Sequence, residues 1–163
     1  MSEQTNMMWK GALAGLAAGL VASFAMDRFQ AVLTAASSSS SDDEDEPATN
    51  KAADRIARAT TGHDVPDDKK DAAGQGVHYA LGAGLGLAYG MAAEASPAVT
   101  SGLGTAFGGT VAGLLDEAAV PAVGLGPAPW KTPASGHAYT LASHMVFGVT
   151  AEITRRLVRK ALG

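Results

Sequence analysis

The feature that most limits what this chain can fold into is a set of four apolar runs, at 11–26, 74–93, 99–115 and 138–158. In the first, GALAGLAAGLVASFAM, whole helical turns carry no polar side chain. A soluble helix shows a polar stripe every third or fourth residue. A bilayer-spanning helix needs about 20 mostly apolar residues. The runs approach that length, and the first reaches it when helical spacing continues through 27–33. The reading is a set of membrane-spanning helices, with a soluble Ala/Gly-rich bundle as the alternative. The first run is taken as a retained helix rather than a secretory signal. Asp27, Arg28 and Gln30 interrupt the region where a cleavage site would fall.

The expected fold class is all-α: an integral membrane four-helix bundle with Gly/Ala-rich packing faces. The first transmembrane helix belongs to 1–36, where Gly11, Gly15, Gly19 and Ser23 recur at every fourth position. Small residues at that interval let helices approach closely in lipid, as in a glycine zipper. The next step of four reaches Asp27. Residues 37–71 form an acidic insert whose SSSSSDDEDE run reads as disordered. A short amphipathic helix at about 47–61 follows, closed by Gly62 and weakly apolar enough to lie on the membrane surface. Residues 72–163 hold helices two to four. Gly82, Gly86 and Gly90 repeat the four-residue step in helix two. Pro97 opens helix three after a tight turn, and Pro121 ends it. The mean hydropathy of +0.08 averages the polar insert with the apolar runs, so it hides the membrane signal.

The absence of Cys excludes a disulfide framework and thiolate metal sites. A net charge of −4 argues against nucleic acid as a partner. No HExxH spacing, nucleophile motif or phosphate-binding loop is present, so no catalytic residue is assigned. Depth along the helices sorts the polar residues instead. Asp27, His78, Asp116, Glu117, His137 and His144 fall toward the insert side, and Glu94, Glu152, Arg155 and Arg156 toward the terminal side. A charge inside the bilayer costs about 2.5–3.5 kcal/mol on insertion scales, so it is retained for a site, a pathway or a partner. His137 and His144 stand two helical turns apart, about 10 Å along the axis. His144 with His78 and Asp116 is therefore the better cluster.

Three uses follow from that chemistry. His78, Asp116 and His144 are the candidate ligands for a divalent metal. The same groups suit a proton relay or a small polar solute. A hydrogen-bonded plug that fixes helix register is the third. The first functional expectation is a small membrane protein with a His/Asp-lined polar site for ion, proton or small-solute handling. The alternatives are a structural or accessory subunit that packs against other membrane proteins, and a metal-dependent membrane enzyme. The partners expected are the lipid bilayer and a homo-oligomer or larger membrane complex. Trp130 suits an interface anchor, and Lys10, Arg155, Arg156, Arg159 and Lys160 favour cytoplasmic termini.

From His78 onward the chain resembles the YagU-like family of small bacterial inner-membrane proteins. The matching residues are His78, Tyr89, Ala93-Glu94 and Pro97, then Pro121, Gly124-Leu125, Pro127 and Trp130, then His144, Gly148, Glu152 and Arg155-Arg156. The resemblance covers the second half, and the acidic insert lies outside it. The chain departs from the family pattern at Asp116, where the pattern has a His, and in a longer stretch between Trp130 and His144, which leaves His137 without a counterpart. The resemblance implies a multi-pass protein of the bacterial inner membrane. It implies no established enzyme activity, and acid tolerance is a role suggested for the family.

Overall fold

The computed structural model describes residues 2–36 and 46–163, with side chains from Thr5 onward. Of the run SSSSSDDEDE at 37–46, read above as disordered, residues 37–45 lie outside the described residues. The described elements are all helical: α1 (Ser2–Ala36), α2 (Ala48–Thr61), α3 (Lys70–Ala95), α4 (Thr105–Val111), α5 (Val120–Ala122) and α6 (Ala134–Ala161). A π-helix, Ala112–Ala119, joins α4 to α5 as one rod. Local chemistry sets the ends. Gly62 closes α2 in the left-handed conformation at φ 81°, and its N–H reaches the Arg58 carbonyl. Ser96 is extended and ends α3, because the residue before a proline is pushed out of the helical region.

The glycines of α1 and α3 face one another along antiparallel helices. A Cβ on Gly15 would overlap the Gly86 carbonyl oxygen, one on Gly19 that of Gly82, and one on Gly90 that of Gly11. Backbone touches backbone, so these faces accept nothing larger than glycine. On its other side α1 sets Ala18, Ala22 and Met26 against Phe147 and Ala151 of α6. The α4 rod meets α6 as α1 meets α3, with Gly108 against the His144 carbonyl and Gly148 against that of Gly104. The interior is thus built from small residues: Ala14, Ala18, Ala22, Ala112 and Ala151 are buried. Leu13, Leu16, Leu20, Val21 and Phe24 point outward.

The structure sharpens the sequence reading at four points. First, two helical stretches, Thr5–Ala36 and Pro97–Ala122, are long and apolar enough to cross a membrane. The other long helices, α3 and α6, are less apolar, with His78, Tyr79, Tyr89 and several glycines in α3 and Glu152, Arg155 and Arg156 in α6. Second, Pro97 does not open a continuous helix. A tight turn there breaks at Ser101, and Gly102, Leu103 and Gly104 follow at φ 63°, 56° and 85°. The left-handed Gly104 is what brings this backbone against Gly148. Third, the rod widens to a π-helix before Pro121. A proline ring clashes with the carbonyl four residues back, here that of Glu117, and a looser coil relieves the clash. Fourth, α2 lies on α3, with Asn50 and Ala53 buried. The Asn50 carboxamide occupies the space a Cβ on Gly74 would need. Arg55 ties α2 to the far loop by donating to the carbonyls of Val123 and Gly124.

Candidate functional site

Where the glycine faces end, the helices part. On α1 the close-packing series runs Gly15, Gly19, Ser23 and then Asp27, and from Ser23 onward it lines a cavity of about 690 Å³. The walls come from α1, α3, the π-helical segment and α6, and the first turn of α2 closes one side. Asp27, His78, Asp116 and His144 all line it.

They meet as two pairs. His78 Nε2 lies 3.2 Å from Asp27 Oδ1, but off the direction of a hydrogen bond, so this buried nitrogen has no hydrogen-bond partner among the described residues. Gln75 donates to the other oxygen of Asp27 at 2.5 Å. Across the cavity, His144 Nδ1 is 3.0 Å from the Thr140 carbonyl, which places a proton on that nitrogen, and 3.6 Å from Asp116 Oδ2. His78, Asp116 and His144 thus line one cavity, with His78 nearest Asp27 and His144 nearest Asp116. Among the described residues no three His, Cys, Asp or Glu side chains gather closely enough to hold a metal ion.

Glu117 and His137 form a separate pair outside the cavity. His137 Nδ1 and Glu117 Oε1 are 2.6 Å apart, and His137 Nε2 is 3.1 Å from the Pro129 carbonyl. His137 precedes the apolar run 138–158 and is partly exposed. The hydrogen bond to Glu117 raises its pKa above the ordinary 6.5.

The terminal end is closed by ion pairs. Glu152 is 0% exposed and accepts from Tyr89 at 2.7 Å, Arg155 at 2.7 and 2.9 Å, and Arg156 at 2.6 Å. Glu94 accepts from Arg159 at 2.7 Å, and Lys10 donates to the Gly163 carbonyl at 2.6 Å. The four terminal-side residues thus fall into two carboxylate-centred clusters, completed by Tyr89 and Arg159.

Among the polar lining residues that sequence reasoning missed are Gln30, Asn50, Asp71 and Gln75. Asp71, Gln75 and His78 stand at i, i+4 and i+7, the spacing of one helix face. That signal was present but masked, because its first member Asp71 is also the last residue of the polar run DVPDDKKD. Asp71 accepts a 3.2 Å hydrogen bond from Asn50 of α2.

A family model described as a protein of unknown function, DUF1440, matches residues 53–153. That range holds His78, Asp116 and His144 of the cavity, and Asp27 precedes it. No curated protein and no solved structure matches the chain.

Proposed function

The chain belongs to the DUF1440 family of uncharacterised proteins, and we propose that it is a multi-pass membrane protein whose cavity handles ions, protons or small solutes. The observation that carries this reading is the cavity of about 690 Å³ with Asp27, His78, Asp116 and His144 on its walls. Ionisable groups at membrane depth are costly, and they are kept where they line a pathway or a site.

Several features support a membrane setting. Two stretches have the length and hydropathy of spans. Small residues make up much of the interior, around Met26, Tyr89 and Phe147, while many large apolar side chains on α1 face outward. Trp9 and Trp130, 46% and 85% exposed, sit toward opposite ends, as interface anchors do. On this proposal α3 and α6 cross beside α1 and the α4 rod as a four-helix bundle, their polar groups turned inward. The glycine faces act as a zipper between spans. The finer assignment to the YagU-like group, a bacterial inner membrane and cytoplasmic termini belong to the same proposal. It rests on the residues His78 to Arg156 and on the basic cluster Arg155, Arg156, Arg159 and Lys160.

One observation favours the accessory-subunit reading: a Cβ at Gly76, Gly84 or Gly113 would meet nothing within 4 Å. These outward glycines offer a face to a second copy or another membrane helix. The longer glycine series of α1 and α3 is already used inside the chain, which leaves that reading second. A metal-dependent enzyme has less support, because the two histidines stand in separate pairs.

Liposomes containing the full chain, loaded with a pH dye and exposed to salt and solute gradients, test the proposal. We expect a protein-dependent flux that falls in Asp116→Asn and His144→Ala. A folded protein that passes nothing, yet co-purifies with a partner through its Gly84 face, would move the conclusion to the accessory role.

A further inference from the structure

Carboxylates outnumber basic groups on the cavity walls. Asp27 from α1, Asp71 from α3 and Asp116 from the π-helical segment line the space, with the imidazoles of His78 and His144. No Lys or Arg lines it among the described residues. With both histidines protonated, three carboxylates still face two cations. Nearby basic side chains are engaged elsewhere: Arg55 on the Val123 and Gly124 carbonyls, Arg28 over the Phe24 ring, and Lys70 with Glu46, Asp54 and Asp67.

The rest of the wall is apolar, with Met26, Leu81, Leu85, Val111, Leu115 and Phe147. A proton or a dehydrated metal ion needs no such surface. A volume of about 690 Å³ falls within the ~300–1,000 Å³ of pockets that bury small organic ligands. Ser23 Oγ, fully buried against Gly82 of α3, marks where the close-packed helix contact ends and the cavity begins.

We propose that the cavity binds a small organic cation, an amine or quaternary ammonium group on an apolar body, with Asp27 and Asp116 as its counter-charges. The proposal rests on the reading of the cavity as a solute site and narrows it to one chemical class. Asp71, held by Asn50, stands beside α2 and adds negative potential there. Clefts lined by one sign of charge concentrate the opposite ion.

Because the chain contains no Cys, a single introduced thiol reports on the cavity alone. Val111→Cys is nearly isosteric, and Leu85→Cys supplies a second position if the first does not fold. Each full-length variant, in detergent, is treated with cationic 2-aminoethyl methanethiosulfonate and anionic 2-sulfonatoethyl methanethiosulfonate, with rates normalised to a free thiol. We expect the cation to react at least about tenfold faster than the anion. The ratio should fall toward one when Asp27→Asn and Asp116→Asn are added. Benzyltrimethylammonium should slow the labelling saturably, and benzenesulfonate should not. Equal rates, or no protection by benzyltrimethylammonium, overturn the cation proposal and leave an open cavity standing. No reaction with either reagent at either position, in folded protein, overturns the cavity reading as well.

Discussion

The Tyr89 hydroxyl donates a 2.7 Å hydrogen bond to Oε2 of Glu152, joining α3 to α6 through a carboxylate with no exposed surface. Arg155 and Arg156 complete the shell around that carboxylate. Removing one partner of a buried pair strands the other charge, at a cost of about 3–5 kcal/mol. Glu152→Ala should therefore lower stability by about that amount, and Tyr89→Phe by about 1–3 kcal/mol. Unfolding in mixed detergent measures both. A Glu152→Ala protein as stable as the parent would remove this cluster as the clasp of the terminal end.

The contact of Gly15 with Gly86 leaves no room for a methyl group. Gly86→Ala should cost about 1–3 kcal/mol by forcing α1 and α3 apart. Gly84 is the internal control, two residues away on α3 with open space around it. Gly84→Ala should gain about 0.5–1 kcal/mol, because alanine restricts the unfolded chain and favours the helix. Thermal unfolding of the two variants side by side decides the point, and matching losses would contradict the packing.

His137 lies outside the apolar run and is paired with Glu117, which raises its pKa above 6.5. The pair favours the protonated imidazole. Its contribution to stability is complete below pH 6.5 and is lost as the pH rises through the higher folded value. An NMR titration of the His137 ring should give a midpoint above 6.5 in the parent and a lower one in Glu117→Gln. A midpoint unmoved by that substitution would show that Glu117 is not the cause.

Arg55 is the side chain that links α2 to the loop at Val123 and Gly124, and both α2 and that loop wall the cavity. Arg55→Ala should speed amide exchange in α2 while leaving α1 and α6 unchanged. Uniform acceleration across the chain would mean that α2 is not a separable cover.

The helical class was legible because the apolar runs lack a polar stripe and small residues recur at every fourth position. Gly11, Gly15 and Gly19 do meet Gly90, Gly86 and Gly82. What spacing cannot supply is rotation about the helix axis. Depth placed His78, Asp116 and His144 at one end, and all three do line one cavity. It could not show that His78 turns to Asp27 and His144 to Asp116, at 3.2 and 3.6 Å. The left-handed run 102–104 was hidden because TSGLG reads as small and apolar, like the helix around it. The π-helical widening has no signature in AGLLDEAA beyond the proline that follows. The docking of α2 escaped because it uses Asn50 and Ala53 against Gly74, where a large apolar face was sought.

The alanine and glycine interior inverts the usual map of mutational tolerance. In most domains a large buried side chain can be exchanged for another of similar volume, and surface positions accept almost any residue. Here the innermost positions, such as Gly15, Gly86 and Gly148, are already at the smallest residue and have no conservative replacement. Outward Leu13, Leu16 and Leu20 have open neighbours and would exchange freely with other apolar residues. A saturation scan should therefore place Gly15, Gly86 and Gly148 among its least tolerant positions and Leu13, Leu16 and Leu20 among its most tolerant.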